Sequence, residues 1–129
     1  MTSTANEVEA PGFIVTRELI QEYADLTVDH NPVHLDEEFA IASPMKGIIA
    51  HGTLSLGLIW RWLDLASGDC SEVDLLEIRF TRPVRISDHV VGGGNEVSPG
   101  VFDVWVKNQN GEPVILGTAR RRASDEGPR

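Results

Sequence analysis

Cysteine is nearly absent: Cys70 is the only one in 129 residues. An internal disulfide and a zinc site built on several thiolates are therefore excluded. The opening MTSTANEVEAPG lacks the apolar run that export requires, so a reducing cytoplasm is the expected location. Positive charge is also scarce, with eleven Lys and Arg against twenty Asp and Glu and a net charge of −9. Phosphate backbones need a basic footprint, so no nucleic-acid partner is expected, and any anionic ligand must be met by local basic residues. No window approaches the ~20 apolar residues of a membrane span, so no membrane partner is expected either. Repeats and low-complexity tracts are missing. A chain of this length fits one domain with one core.

The chain does hold one dense stretch, from Tyr23 to Trp62. Its first part, DHNPVH, crowds reactive side chains around Asn31-Pro32. The proline ring pushes the residue before it to extended backbone, which places Asp29 and His34 on a loop rather than on one helical face. Its last part, AHGTLSLGLIWRWLDLASG, opens on Gly52 and Thr53 and is apolar on nearly every side, the pattern of a helix wrapped by other structure. Unpaired N–H groups at the start of that helix then lie near a carboxylate and an imidazole.

Residues 1–11 are small, polar and acidic and are expected to be disordered, as is the tail at 124–129; residues 12–123 form the expected single domain. Phe13 to Thr16 reads as a short strand. Thr16 then caps a helix from about Arg17, with Leu19, Ile20, Tyr23, Ala24 and Leu26 as its apolar stripe. DEEFAIAS reads as a short helix with Asp36 near its start, Phe39 and Ile41 inward and Ser43-Pro44 as its stop. The apolar helix runs from about Thr53 to Ala66, with Leu54, Leu58, Trp62 and Leu65 on one face, Leu56, Ile59 and Leu63 on another, and Ser67-Gly68 as its end. Strands follow near Val73–Arg85, His89–Val97, Val101–Lys107 and Val114–Arg122, with hairpin turns at residues 98–100 and 110–113. One buried helix and a four-stranded meander with an extra N-terminal strand make an α+β domain, its antiparallel sheet curled around the helix. Gly92-Gly93-Gly94 lacks the Lys-Ser/Thr and following helix of a phosphate loop, and reads as a bulge or a flat backbone crossing.

Each candidate site residue also has a plainer reading. Asp29 can cap a turn and His34 can hydrogen-bond its own loop. Asn31 stabilises the loop, and His51 can be a satisfied structural histidine. His30 and His89 read as surface residues. A metal set of His30, His34, Asp36 and His51 has the right donor types, but Pro32 breaks the helical register that would align His30 with His34, so no metal is expected. Trp60 and Trp62 are core, interface or substrate-lining residues. Arg79, Arg82, Arg85 and Arg120-Arg121-Arg122 are either solvated strand ends or phosphate contacts.

Thr27, Asp29, Asn31, Pro32 and His34, followed by Gly47, His51 and Gly52, resemble the signature of the MaoC-like, R-specific enoyl-CoA hydratase family, roughly S/T-x-D-x-N-P-x-H continuing to G-x-x-x-H-G. The resemblance extends from about Phe13 to Arg122. It departs at Val28, where the family commonly has glycine, and at Trp60, where some members carry a small polar residue. It implies a hotdog fold, an acyl-CoA thioester substrate, no cofactor beyond the coenzyme A of that substrate, and a homodimer or a heteromer with a related hotdog subunit. Adding water to an enoyl thioester needs a base, a proton for C2 and donors for the thioester oxygen. The resemblance assigns Asp29 as general base, His34 as the residue that orients water and acts as acid, and the Gly52 N–H as oxyanion donor. Asn31, His51, Thr53 and Trp60 are the candidate substrate-binding residues. Two other readings stand beside this one: a non-catalytic acyl-CoA-binding or scaffold subunit, motivated by Val28 and Trp60, and a hotdog thioesterase, which the DxNPxH turn argues against.

Overall fold

In the computed structural model, residues 10–122 are described; the segments expected to be unstructured lie outside them apart from Ala10 and Pro11. Pro11 is already tied into the sheet, its carbonyl accepting the Gly92 N–H at 2.8 Å. The elements are β1 (Gly12–Ile14), α1 (Arg17–Thr27), α2 (Pro32–Leu35), α3 (Glu37–Ala42), α4 (Gly52–Ser67), a 3₁₀ turn (Cys70–Glu72), β2 (Val73–Phe80), β3 (His89–Ser98), β4 (Val101–Lys107) and β5 (Pro113–Arg121).

The helix starts are built from the expected side chains. Thr16 Oγ1 accepts the Leu19 N–H at 3.0 Å and an Asp36 carboxylate oxygen accepts the Phe39 N–H at 3.1 Å. These caps satisfy first-turn donors that have no partner within the helix. The DHNPVH segment differs from expectation in one respect. Asn31 is extended (φ −56°, ψ 129°), but Pro32 opens a one-turn helix, so His34 stands on α2 rather than on a loop. Proline fits the first helical position, where its missing N–H costs nothing, and Asn31 caps the turn through the Val33 N–H at 3.1 Å.

All five strands form one antiparallel sheet in the order β1-β3-β4-β5-β2. The expected meander is therefore three strands long, β3 to β5. β2 crosses to the far edge and pairs with β5, while β1 pairs with β3. β2 also stops at Phe80 rather than Arg85. Beyond it the chain carries Pro83, which has no N–H for a ladder, and the Val84 carbonyl turns to accept the Ala50 N–H at 2.8 Å.

α4 lies against β3 and β4 with the sheet curved around it. Ile59 and Leu63 are fully buried, and Leu58 and Trp62 nearly so; complete burial of such side chains stabilises by roughly 1.5–3 kcal/mol each. Leu65, expected on a buried face, is instead 41% exposed, because the sheet covers only part of the helix circumference. In α3 it is Ala40 that packs inward, while Phe39 and Ile41 point outward at 49% and 55% exposure. A six-residue helix offers one inward position per turn, and Ala40 holds it. Leu26, near the end of α1, is likewise exposed.

The triple glycine is a flat crossing and not a bulge, since Gly92, Gly93 and Gly94 pair in unbroken register with Val106, Trp105 and Val104. A Cβ on Gly92 would lie 2.8 Å from the Leu58 carbonyl oxygen, and one on Gly94 would lie 2.8 Å from the Trp62 ring. Close packing of helix on strand therefore requires glycine at both positions. Among the described residues, no helix is long and apolar enough to cross a membrane.

Candidate active site

The N-terminus of α4 meets the α1–α2 connection. His51, the residue before the helix, is 3% exposed. One of its ring nitrogens, Nε2, lies 3.0 Å from the Asp29 carbonyl oxygen. A carbonyl can only accept, so His51 Nε2 carries the proton. His34 is held likewise, its Nδ1–H donating to the Ile49 carbonyl at 2.7 Å. Proton exchange by His34 therefore falls to Nε2. The two rings stack with centroids 3.8 Å apart, and Tyr23 meets His51 edge-on at 5.1 Å. The Tyr23 hydroxyl in turn donates to Thr53 Oγ1 at 2.7 Å.

These contacts bring Asp29, His34 and His51 together, with one side-chain donor or acceptor atom from each within 4.8 Å of the others. A single water can bridge a gap of that size. The Asp29 carboxylate is exposed and, among the described residues, accepts the Asn31 N–H alone, at 3.3 Å. The same three residues are the one cluster of metal-ligand type among those described. Of the metal set considered from sequence, His34 and His51 stay together, whereas His30 pairs with Asp25 at 2.9 Å on the surface and Asp36 caps α3.

A cavity of about 510 Å³ opens beside the cluster. One wall is the start of α4, with His51, Gly52, Thr53 and Ser55; the other comes from Phe80 to Val84, and Asp29 lies at its edge. His34 is not among the lining residues; it stacks on His51, which is, and one of its ring nitrogens lies within 4.8 Å of the Asp29 carboxylate. Gly52 opens α4 against the Phe80 ring, and a Cβ there would lie 2.7 Å from Phe80 Cε1. Its N–H lies in the first turn, at the positive end of the helix dipole.

The remaining candidates are placed as follows. Asn31 caps α2 and does not line the cavity. Trp60 is 36% exposed and also absent from the lining, whereas Trp62 is core, edge-on to Phe102 at 6.1 Å. Of the arginines, Arg82 alone lines the cavity, 3.6 Å from Glu112. Hydrogen bonding from Asn108, and then the charge of Arg82, hold the Glu112 carboxyl below its usual range. Arg85 donates to the Met45 carbonyl at 2.6 Å, and Arg120 pairs with Asp74 at 3.2 Å. Val28 takes the left-handed conformation (φ 56°, ψ 41°) that ends α1. The turn that glycine would make is therefore made here by valine.

Sequence reading passed over Ser55 and, Arg82 apart, the Phe80–Val84 wall. Ser55 carried a signal, a polar residue three positions after Gly52 in an otherwise apolar run. The second wall carried none, because its approach to α4 depends on the Ala50–Val84 backbone pairing across the fold.

Fold and site together define a hotdog-class α+β domain with a carboxylate and two imidazoles gathered at the start of its central helix. The chain belongs to the MaoC-like domain family, whose family model matches residues 2–112. It is 39% identical over 69 residues to a 3-hydroxybutyryl-CoA dehydratase of Methylorubrum extorquens, covering 53% of this chain and 44% of the relative. It is 43% identical over 81 residues to 3-hydroxyacyl-thioester dehydratase Z of Mycobacterium tuberculosis, covering 59% of this chain and 54% of the relative. The chain thus spans about half the length of these curated relatives. Among solved structures, R-hydratase PhaJ1 of Pseudomonas aeruginosa superposes with a TM-score of 0.72 at 28% identity, covering 90% of this chain and 80% of that one.

Proposed function

We propose that this chain is an R-specific enoyl-CoA hydratase, or 3-hydroxyacyl-CoA dehydratase in the reverse direction. The observation that carries the reading is the convergence of Asp29 and His34 at the N-terminus of α4, beside a largely apolar cavity. A water held between the Asp29 carboxylate and His34 Nε2 adds through its oxygen to C3 of a trans-2-enoyl thioester. Asp29 takes a proton from that water as the C2=C3 electron pair moves onto the thioester oxygen. The Gly52 N–H stabilises the resulting oxyanion, and the proton taken by Asp29 passes to His34 Nε2 and from there to C2, which completes the product and restores both residues. His51 positions Asp29 by donating to its carbonyl. Dehydration is the same path reversed.

The reading needs no metal or redox group, coenzyme A entering only as part of the substrate. A second subunit, either another copy or a related hotdog chain, completes the acyl channel. With one half-buried thiol, a reducing cytoplasm suits it. The non-catalytic alternative loses its motive, since Val28 makes the turn that glycine would and Trp60 stands away from the cavity.

The test follows loss of enoyl-thioester absorbance on crotonyl-, octenoyl- and ring-bearing enoyl-CoA, with any co-purifying subunit supplied. Consumption of at least one, giving the R-3-hydroxyacyl product, is expected. No consumption of any of the three would sink the reading.

A further inference from the structure

Ser55 is 1% exposed, lines the cavity and has no hydrogen-bond partner for its Oγ among the described residues. Its position is informative. It lies one turn into α4, three residues after Gly52, and residues at that spacing share a helix face. Side chains on a helix tilt toward its N-terminus, so the Ser55 hydroxyl leans back over the turn that presents the Gly52 N–H.

A buried helical serine ordinarily folds its hydroxyl onto the carbonyl four residues before it. The same helix supplies that case at its other end, where Ser67 Oγ donates to the Leu63 carbonyl at 2.6 Å. Ser55 forms no such bond, and the corresponding His51 carbonyl accepts the Leu54 N–H at 3.1 Å instead. A donor left unpaired in a buried site weakens the fold unless a ligand pairs with it. Here a ligand has a place close by, because Ser55 is among the residues that line the cavity.

We propose that Ser55 is a further catalytic residue, its Oγ–H a second donor to the thioester oxygen beside the Gly52 N–H. The inference rests on the hydratase reading and adds to it a side-chain half for the oxyanion site. No proton leaves the serine. Its O–H bond shortens the hydrogen bond to the oxygen as the C2=C3 pair moves there, and relaxes when C2 is protonated. The contact is therefore stronger in the transition state than to bound substrate, and its loss should appear in kcat rather than KM.

Ser55→Ala removes a hydroxyl that no protein group uses, so the variant should melt at or above the wild-type temperature. Its kcat on the best enoyl-CoA should fall by about 10²-fold, with KM little changed. The affinity for the matching saturated acyl-CoA, measured by calorimetry, should change by no more than about threefold, since no charge develops on that ligand. Three results overturn the proposal: a kcat within twofold of wild type, an equal loss of saturated acyl-CoA affinity, or a fall in kcat matched by a fall in melting temperature. A wild-type protein inactive on every enoyl-CoA overturns the hydratase reading and this inference with it. An active wild type with an unaffected Ser55→Ala overturns this inference alone.

Discussion

His34 and His51 stack with their centroids 3.8 Å apart, yet each is tied to a different backbone carbonyl, Ile49 for His34 and Asp29 for His51. The two imidazoles are therefore not interchangeable. One is bonded through Nδ1, which leaves its Nε2 clear of that carbonyl, and the other is bonded through Nε2 to the Asp29 backbone.

Asp29→Asn and His34→Gln should each lower kcat/KM by ~10²–10⁴-fold, the range for removal of a general acid or base. Asp29 contributes little to the fold, its carboxylate accepting one N–H at 3.3 Å, so its asparagine variant should keep the wild-type circular dichroism and melting curve. A collapse of the fold in Asp29→Asn would contradict this assignment.

His51→Phe keeps a ring against His34 but cannot donate to the Asp29 carbonyl. Loss of one net hydrogen bond should cost ~0.5–1.5 kcal/mol in urea denaturation. Turnover should fall less than in Asp29→Asn, because the carboxylate remains but is less well placed. Equal loss in both variants would mean that His51 itself takes part in proton transfer.

At Val28, a β-branched residue sits at φ 56°, a conformation that strongly favours glycine. The side chain is 79% exposed and gives up little packing when removed. Val28→Gly should raise stability by about 1 kcal/mol, since left-handed backbone costs an L-residue ~1–2 kcal/mol and glycine returns part of that as unfolded-chain entropy. Denaturant midpoints of the two proteins decide the sign.

Gly92→Ala places a methyl group 2.8 Å from the Leu58 carbonyl oxygen, against helix backbone that cannot rotate away. A loss of ~1–3 kcal/mol is expected, the usual cost of overpacking. Gly111→Ala, whose Cβ would meet nothing within 4 Å, carries only the penalty of its φ of +76°. Urea melts of the pair separate crowding from backbone strain.

Burial raises the Cys70 thiol above its ordinary range, with Asp64 and then Asp69 adding to the rise. The unfolded thiol ionises first as pH climbs, so the contribution to stability is complete below the unfolded pKa of about 9.0 and is lost as pH rises through the folded value. Iodoacetamide at pH 8 should label the native chain more slowly than the urea-unfolded one, because the thiolate is the nucleophile. Native labelling as fast as unfolded would show the thiol to be unshielded.

Much of this was legible in the chain. Thr16, Asp36 and Gly68 announced helix ends because capping is a local matter of one side chain or one left-handed residue. The apolar run announced α4, and the DxNPxH and HG motifs placed Asp29, His34 and Gly52 near one another. The β2 edge position, the outward turn of Phe39 and Ile41 and the Phe80–Val84 wall were not legible. Each depends on which surface meets which across the fold, and hydrophobic periodicity records that a face is apolar without recording what covers it. Proline at the first position of α2 shows the opposite limit, a residue that breaks helices also serving to start one.

Where α4 crosses Gly92, main chain rests almost directly on main chain. Side chains can adopt other rotamers when a neighbour is mutated, but a peptide plane has no such freedom. The depth at which the helix sits is thus set by the stiffest parts of the polymer. Substitutions elsewhere in the core should be absorbed by shifts along or around the helix axis, leaving its height above the sheet nearly constant. Sequences that vary widely beyond this seam can then carry the same backbone donors at the same elevation over the cavity.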